Sequence, residues 1–243
     1  MSVLSGLTSL DLSNNGLTGT MPAQLSSLSS LESLDVSVNA FYGTFPYLLY
    51  ATPRLRSLSL NANSFSGTIP PTVFGVLRAL TNLDLQENSF TGTLPTELFS
   101  LTNLRFLFLR YNTFTSTIPT EVGNLLALEH IRFKRATLTG TIPTEFGKLT
   151  LLSLLQLNEM ALTGTLPPEL AAATALVRID VDENFGIVGT VPPEYVGLSA
   201  LQRFTMDDTG LVGSIDFLCD ALPTIQDFAV DKTRMNCSCC TCC

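Results

Sequence analysis

Two short segments concentrate cationic and aromatic side chains: residues 105–111, RFLFLRY, and residues 129–135, EHIRFKR. A guanidinium offers a planar fork of N–H donors that fits carboxylates and sulfates, and a neighbouring ring adds apolar contact. The chain has only 13 lysines and arginines, and five of them fall in these segments. This composition is typical of a binding hot spot. The candidate ligand-binding residues are Arg105, Phe106, Phe108, Arg110, Tyr111, His130, Arg132, Lys134 and Arg135.

Residues that could support catalysis are scarce. His130 is the only histidine, so any Ser-His-Asp or Cys-His site would depend on it. The sequence contains no phosphate-binding GxxxxGK[ST] loop, no strand-linked GxGxxG and no HExxH. Asp182 and Asp207 could form a carboxylate pair, but we expect them on a shallow open surface. We therefore predict a protein that is not an enzyme and that uses no cofactor.

A second group of charges lies near the C-terminus and is acidic. Calcium binding is one interpretation of this group, and a surface for a basic partner is the one we prefer. Its members are Asp180, Asp182, Glu183, Asp207 and Asp208.

All six cysteines follow Leu218. They could form a disulfide-bonded cap, which requires an oxidising compartment, a thiolate metal cluster, or a site of acylation. We favour disulfides, and we expect Cys219 to be a partner because vicinal cysteines bridge each other poorly. The disulfide candidates are Cys219, Cys237, Cys239, Cys240, Cys242 and Cys243.

The overall composition of the chain limits the classes of partner that it can bind. The formal net charge of −8 argues against nucleic-acid binding, which needs a basic field. No segment has the ~20 consecutive apolar residues that span a bilayer. The first residues show no signal peptide and begin inside a repeat, so we expect an upstream segment to cover the first core face.

A repeat of 24 or 25 residues organises the chain and must position these side chains. Self-similarity at this period indicates a solenoid, in which each unit packs only on its neighbours, rather than a globule with one closed core. We number the nine copies coils 1 to 9 by the residue that opens each one: Leu7, Leu31, Leu55, Leu80, Leu104, Leu128, Leu152, Leu176 and Leu201.

The first part of each coil predicts a short strand and a tight turn. In coil 4, Leu83 and Leu85 alternate with Asn82, Asp84 and Gln86, and this period of two predicts one buried and one open face. We expect nine such strands to stack in parallel. An asparagine side chain can satisfy backbone donors and acceptors in the turn that follows. It recurs as Asn15, Asn39, Asn63, Asn88, Asn112 and Asn184.

The second part of each coil carries a buried apolar residue, a TGTIP-like segment and a short helix of 3-10 or α type. Coil 5 has Ser116 at the glycine position, and coils 6 and 7 replace the turn asparagine with Ala136 and Met160. Four consecutive coils have phenylalanine at the apolar position, which predicts an aromatic stack inside the solenoid: Phe41, Phe65, Phe90 and Phe114.

The consensus LxxLxLxxNxLTGTIPxxLxxLxx, which runs from Leu4 to Ile215, resembles the plant-type leucine-rich repeat. The resemblance implies an α/β repeat fold: a right-handed curved solenoid with parallel strands on the concave face and short helices or 3-10 turns on the convex face. It also implies a second small strand at the GTIP segment. Family members are mostly receptor ectodomains or secreted recognition proteins. The cysteine-rich end resembles tails of leucine-rich-repeat ectodomains in unicellular algae.

On such a fold the residues between the strand leucines form the open concave face. In this chain that face is divided into sectors. Coils 1 to 4 present mainly serine, asparagine and acids, coils 5 and 6 present the cationic and aromatic residues, and coils 8 and 9 are acidic. We expect three ion pairs between neighbouring coils: Glu32 with Arg56, Arg105 with Glu129, and Arg135 with Glu159.

Ion pairing does not account for all of coils 5 and 6. Arg110 lies beside Lys134 in the predicted register, and like charges on adjacent strands repel. Phe106 and Phe108 are both expected to face water. We therefore interpret these two coils as a functional patch rather than an ordinary solvated surface.

The sequence as a whole predicts residues 1–216 as a solenoid and residues 217–243 as a cysteine-rich cap or tail. The predicted function is non-catalytic recognition of a peptide or protein with an anionic portion, at the extracellular or cell-surface side of a receptor-like or secreted protein. Two alternatives remain open. One is a structural or adhesive surface protein without a discrete ligand, and the other is an intracellular scaffold with a zinc-thiolate tail.

Overall fold

The computed structural model describes residues 5–222, 225–231 and 233–239. One ten-stranded parallel sheet runs the length of this region, and its strands lie side by side in chain order. We call its open side the concave face. The strands are Ser9–Asp11, Ser33–Asp35, Ser57–Ser59, Asn82–Asp84, Phe106–Phe108, His130–Arg132, Leu154–Gln156, Arg178–Asp180, Arg203–Thr205 and Asp227–Ala229.

The alternation in the sequence explains which side of each strand is buried. In coil 5, Leu107 and Leu109 are fully buried, whereas Phe106, Phe108 and Arg110 between them are partly exposed. Removing a leucine side chain from water contributes about 1.5–3 kcal/mol. A register shift by one residue would expose the leucines of a strand, so burial fixes the register.

The turn asparagines form a hydrogen-bonded ladder, as the sequence predicted. Asn88 accepts the N–H of Phe65 in the preceding coil at 3.0 Å. Its side-chain Nδ2 donates hydrogen bonds to the carbonyls of Leu60, Leu85 and Gln86 at 2.9, 3.2 and 3.1 Å. Each asparagine therefore joins two consecutive coils at the end of the strand.

The predicted aromatic stack is confirmed in the core. The rings of Phe41 and Phe65 have centroids 6.4 Å apart, and those of Phe65 and Phe90 are 6.3 Å apart and nearly parallel. Phe114 is fully buried. These rings pack between the strand leucines and the helical side of each coil, so they belong to the core and are not a ligand site.

A second set of short parallel strands follows the turns, at the TGTIP-like segments. We call the surface that they form the lateral face. A five-stranded part contains Thr18–Gly19, Ala40–Gly43, Ser64–Gly67, Ser89–Gly92 and Thr113–Phe114, and a four-stranded part contains Thr139–Thr141, Ala161–Gly164, Gly186–Gly189 and Gly210–Leu211.

The division between these two parts lies at Ser116 of coil 5. Gly92, the equivalent residue of coil 4, has a φ of +77°, a left-handed conformation that glycine adopts easily. Ser116 is not among the residues with positive φ, and its hydroxyl accepts the N–H of Leu94 at 3.1 Å. A single bridge between Thr117 and Thr139 joins the two parts across this point. The change from glycine to serine thus coincides with the interruption of the lateral sheet.

The convex side of coils 1 to 8 is a five-residue 3-10 helix that starts next to a proline. Among the described residues, no helix has the length and apolar character needed to cross a membrane. The 3-10 helices are Ala23–Ser27, Tyr47–Ala51, Pro71–Gly75, Thr96–Ser100, Thr120–Asn124, Thr144–Lys148, Pro168–Ala172 and Pro193–Gly197.

The tail continues the solenoid. An α-helix covers Asp216–Ala221, the strand Asp227–Ala229 extends the concave sheet, and Met235–Asn236 pairs with Gly213–Ser214. The tenth strand was not predicted from the sequence. The division of the chain at residue 216 stays a prediction.

The tail cysteines include the expected partner. Cys219 and Cys239 form a disulfide with a Cα–Cα distance of 5.9 Å, and Cys237 is also disulfide-bonded. Their sulfur atoms and that of Cys237 lie within 4.8 Å of one another. A disulfide sulfur is not a thiolate, so this arrangement favours the disulfide-bonded cap over a zinc site. Cys240, Cys242 and Cys243 lie outside the described residues.

Candidate ligand-binding site

Two adjacent strands hold the central residues of the candidate site. In the register between Phe106–Phe108 and His130–Arg132, Phe106 is opposite His130 and Phe108 is opposite Arg132. All four side chains leave the sheet on its open side because the residues between them, Leu107 and Ile131, are buried. The sheet therefore brings the two segments of the sequence together.

The aromatic rings in this patch are covered by their cationic neighbours. The guanidinium of Arg132 lies 4.8 Å from the centre of the Phe108 ring, and that of Arg105 lies 5.5 Å from the centre of Phe106. His130 meets Phe106 edge-on at 5.1 Å. The expectation that both phenylalanines face water was therefore too simple, since each ring is partly buried under these contacts.

Tyr111 and Arg135 lie at the rim of the concave face, each in the turn after its strand. Arg110 and Arg135 both lie against the Tyr111 ring, at 5.5 and 5.6 Å from its centre. Both rim residues have a left-handed backbone, which the sequence did not predict. The equivalent position has a φ between 51° and 56° in every coil: Asn14, Val38, Ala62, Glu87, Tyr111, Arg135, Glu159, Glu183 and Asp208.

The three expected ion pairs form. Arg56 and Glu32 are 3.6 Å apart, Arg105 and Glu129 are 2.6 Å apart, and Arg135 contacts Glu159. All three arginines are largely exposed, so each pair contributes only about 0–1 kcal/mol to folding stability. Their effect on the site is to neutralise Arg105 and Arg135 in part.

Arg110 and Lys134 each form an ion pair that the sequence did not predict. Arg110 contacts Glu87 of coil 4 at 2.9 Å, and Lys134 contacts Glu159 of coil 7 at 2.5 Å. Each cation turns away from the other toward a rim carboxylate in the next coil on its outer side. Repulsion between adjacent strands is thereby relieved, and Glu159 alone serves both Lys134 and Arg135.

Arg132 is the exception at the centre of the patch. It has no ion-pair partner among the described residues, and its buried Nε has no hydrogen-bond acceptor there. Burial, followed by the positive charges of Arg110 and Arg178, lowers the pKa of this guanidinium, while Asp84 acts in the opposite direction. Arg132 is therefore a charged group with unused donors, held in place by the Phe108 ring.

His130 next to it is held in the neutral form. Burial and then the charge of Arg132 lower its pKa below the ordinary value of 6.5, and Glu129 only partly opposes them. The imidazole therefore adds aromatic surface at neutral pH and a further positive charge in acid.

A shallow depression of ≈ 540 Å³ opens beside the patch, toward coil 4. Arg110 and Tyr111 form one wall, and Glu87, Asn88 and Ser89 form another. Sequence reasoning missed Glu87 and Ser89, because it treated coil 4 as an ordinary repeat. Glu87 could have been identified from the sequence, because it is the rim residue of coil 4 and the next coil carries a cation, Arg110.

In coil 4, the polar side chains of the concave face form hydrogen bonds with one another. Asp84 accepts hydrogen bonds from the side chains of Asn61 and Gln86, both at 3.0 Å, and from the backbone N–H of Gln86 at 3.1 Å. Burial nevertheless raises the pKa of Asp84. Its carboxylate is largely occupied by neighbours, in contrast to the Arg132 guanidinium.

The acidic group of coils 8 and 9 is smaller than the sequence suggested. Asp180 is buried and contacts Arg178 at 2.7 Å and Arg203 at 3.5 Å, so it is not part of an exposed acidic surface. Glu183 and Asp207 do remain accessible. Burial first, and then neighbouring carboxylates, raise the pKa of both.

Comparisons with known proteins agree with this geometry. Models described as leucine rich repeat match residues 53–114 and residues 6–28. No curated relative matches this sequence.

Several solved structures are similar over nearly the whole chain. A plant peptide hormone receptor, RGFR1 in complex with RGF2, is 30% identical with a TM-score of 0.87 and is matched over 94% of this chain and 37% of its own. The Arabidopsis receptor kinase HAESA, in complex with the peptide hormone IDA and the co-receptor SERK1, is 29% identical with a TM-score of 0.76, over 93% and 42%. A plant ice-binding protein is 25% identical with a TM-score of 0.72, over 95% and 84%.

The chain thus spans well under half the length of the receptor ectodomains and most of the length of the ice-binding protein. The repeat models, the stacked parallel strands and these structures agree on one assignment: the chain belongs to the plant-type leucine-rich-repeat proteins.

Proposed function

We propose that this chain is a non-catalytic recognition module that binds a peptide or protein through its concave face. The anionic portion of the ligand contacts coils 5 and 6. The observation that carries this proposal is Arg132, a guanidinium that has no ion-pair partner among the described residues and that lies on the Phe108 ring at the centre of the face. An anion placed there would gain charge-assisted hydrogen bonds that no described residue now makes.

The surrounding cations support this role indirectly. Arg105, Arg110, Lys134 and Arg135 each have a carboxylate partner and surround Arg132. Their charges lie close enough to raise the local positive potential, which attracts an anionic group before contact. Their existing partners limit how strongly any one of them would bind a ligand itself.

The comparisons support the same class of function. RGFR1 and HAESA are described in complexes with peptide hormones, and HAESA also with a co-receptor. By analogy, this chain would be part of an extracellular domain of a receptor-like or secreted protein. The Cys219–Cys239 disulfide is consistent with an oxidising compartment. Thiol labelling of protein from its native compartment should leave both cysteines unmodified, and labelled cysteines with bound zinc would support the intracellular alternative.

An array of synthetic peptides tests the site. Members that carry glutamate or sulfotyrosine beside apolar residues are paired with members that carry glutamine or tyrosine instead. We expect the protein to retain acidic members preferentially, with binding that weakens as salt increases. Arg132→Met removes the charge but keeps a side chain over Phe108, and should weaken retention by about tenfold or more, as expected for a charged hydrogen bond.

Arg56→Glu is the matched control, because Arg56 is exposed on coil 3 and lies outside the patch. It should retain the acidic peptides like the unaltered protein. Equal retention by Arg132→Met and the unaltered protein would show that the ligand binds elsewhere. No preference for acidic members would remove the anionic part of the proposal.

Ice binding is a second candidate function, favoured by a specific observation. The plant ice-binding protein is matched over 84% of its own chain, so the similarity covers most of that protein. The lateral face, away from the charged patch, also has a composition suited to a regular surface rather than to one discrete ligand. Inhibition of ice recrystallisation by the purified full chain tests this candidate, and an inactive protein at high concentration excludes it.

A further inference from the structure

The lateral face carries two columns of exposed side chains on either side of the TGTIP glycine. The column after the glycine, which we call the threonine ladder, has a hydroxyl in all nine coils: Thr20, Thr44, Thr68, Thr93, Thr117, Thr141, Thr165, Thr190 and Ser214. The column before the glycine is Thr18, Tyr42, Ser66, Thr91, Thr115, Thr139, Thr163, Val188 and Val212, all exposed. Neither column contains a charged residue.

The residue types in the central part of this surface are also uniform. From coil 3 to coil 7, both columns contain only serine or threonine. The exposed residues two positions before the second column are equally small: Ser64, Ser89, Thr113, Thr137 and Ala161. No large side chain interrupts these three rows, so the side-chain pattern repeats from coil 3 to coil 7, across the interruption of the lateral sheet at Ser116.

In coils 3 to 7, Thr68, Thr117, Thr141 and Thr165 each lie against a glycine of the next coil, whereas coil 5 has Ser116 at the position that follows Thr93. A Cβ at Gly92 would lie 2.7 Å from the Cγ2 methyl of Thr68, and a Cβ at Gly164 would lie 2.9 Å from that of Thr141. The absent side chain therefore leaves a notch in which the threonine methyl lies. Because threonine is stiff about χ1, fixing the methyl also fixes the hydroxyl.

The backbone sets the spacing of this array. Neighbouring parallel strands lie about 4.8 Å apart, and two residues along one strand span roughly 6–7 Å. The result is a two-dimensional net of ordered hydroxyl and methyl groups. A ligand that matches such a net must itself repeat in two directions. The outer water layer of an ice crystal does so, and it offers hydrogen bonds to hydroxyls without requiring charge.

We propose that the threonine ladder and the column beside it, from coil 3 to coil 7, form an ice-binding face. This inference rests on the second candidate function and adds the surface that performs it. A flat polysaccharide is a poorer match, because sugar rings pack on aromatic side chains and these coils present none on the lateral face. The concave face is also a poor match for ice, because its exposed side chains differ in charge and size from one strand to the next.

The test measures incorporation of the full chain into slowly growing ice, together with inhibition of recrystallisation. Thr115→Tyr combined with Thr139→Tyr places two bulky rings in the middle of the array. Coil 2 already carries Tyr42 in this column, so the fold accommodates the residue. We expect the double variant to need about tenfold more protein for the same inhibition, as expected when a flat contact is broken at its centre.

A second pair of variants separates shape from folding damage. Thr139→Val keeps the branched shape, and Thr139→Ser keeps the hydroxyl, so each should reduce activity less than tyrosine does. Arg56→Glu on the concave face is the control and should leave activity unchanged. Circular dichroism and melting temperature check that each variant is folded.

The outcomes separate the inference from the function on which it rests. If the unaltered chain is active and the folded double-tyrosine variant is equally active, ice binds elsewhere and the inference is wrong. If the unaltered chain is inactive, the candidate function itself fails, and the proposed face with it. Activity that is lost in the double-tyrosine variant and kept in Arg56→Glu supports the lateral face.

Discussion

The concave face of coils 5 and 6 and the lateral face are built by the same repeat, yet they differ in almost every property. The concave patch contains rings, guanidinium groups and carboxylates, and no two of its rungs are alike. The lateral face repeats small hydroxyl side chains in coil after coil. An aperiodic surface suits a ligand with a definite sequence of groups, whereas a periodic one suits an extended, repeating surface.

The difference follows from how each position is constrained. A concave side chain such as Phe108 or Arg132 leaves the sheet between two buried apolar residues and is free to vary without disturbing the core. A ladder residue such as Thr68 lies against a glycine of the next coil, so its size is restricted by that contact. The same strand-turn-strand unit therefore permits variation on one face and suppresses it on the other.

The largest expected loss of stability comes from replacing Asn112, a residue that joins the two faces. Asn112 is buried, accepts the N–H of Phe90 at 3.0 Å and donates to the carbonyls of Leu85 and Leu109 at 3.0 Å each. Asn112→Ala leaves these groups unsatisfied and should lower the free energy of unfolding by about 3 kcal/mol or more. Urea unfolding followed by circular dichroism measures the change.

Asn103→Ala is the matched control for this prediction. Asn103 is exposed and makes one hydrogen bond, to the carbonyl of Arg78 at 3.2 Å, so its loss should change stability by about 0.5 kcal/mol or less. Similar losses in the two variants would mean that the asparagine ladder does not link the faces.

A somewhat smaller effect is expected for the lateral face alone. Gly92→Ala adds a Cβ 2.7 Å from the methyl of Thr68 at a φ of +77°, and should cost about 1–3 kcal/mol. Gly75→Ala is the control, because Gly75 has open space around it. Its melting temperature should stay close to that of the unaltered chain. If both variants melt alike, the ladder threonine does not lie in a notch.

The pH dependence should distinguish the two faces more subtly. The folded-state pKa of His130 is lowered, so protonation favours the unfolded chain, and its contribution to stability falls as the pH drops below 6.5. NMR titration of this single histidine should give a pKa below 6.5. Binding of an acidic peptide should strengthen over the same range as His130 gains charge, whereas any binding to ice should not change.

His130→Gln provides the comparison for that titration. Without an imidazole, the rise in peptide binding between neutral and mildly acidic pH should be smaller. A pH response that is identical in the variant would assign the titration to carboxylates such as Glu183 or Asp207, whose pKa values are raised.

The smallest effect is expected at the interruption of the lateral sheet. Ser116→Gly restores the residue found in most other coils and should change stability by only about 1 kcal/mol or less. It should allow continuous pairing across coils 5 and 6, and therefore slow amide hydrogen exchange around Thr117 and Thr139. Ser64→Gly, on an uninterrupted strand, should leave exchange there unchanged. Unaltered exchange in Ser116→Gly would show that Ser116 does not cause the interruption.

Much of the fold could be predicted because the repeat states it several times. The alternation of Leu83 and Leu85 with polar residues predicts the strand, and the chemistry of Asn88 predicts the ladder. The tenth strand was missed because residues 225–231 carry Phe228 in a segment that lacks the leucine consensus. That strand forms because coil 9 offers it an open sheet edge, which is a property of the assembled structure.

The site was predicted less completely than the fold. The sequence identified the cluster of cations, but it did not show that Glu87 pairs with Arg110 and Glu159 with Lys134. Those pairs depend on the left-handed turns that point the rim residues toward neighbouring coils, and glutamate is not a typical left-handed residue. As a result, only the structure distinguishes Arg132 from the cations around it.

The single bridge across the lateral face at coil 5 has a mechanical consequence. Each coil of a solenoid is held only by its two neighbours, so bending concentrates where one joint is weakest. Between coils 5 and 6 the concave sheet is continuous, while Thr117 and Thr139 provide the only bridge on the lateral side. We expect bending to be easiest at this joint, because a single bridge joins its lateral side. The half of the molecule before Ser116 and the half after it could then close around a ligand held at Phe108 and Arg132.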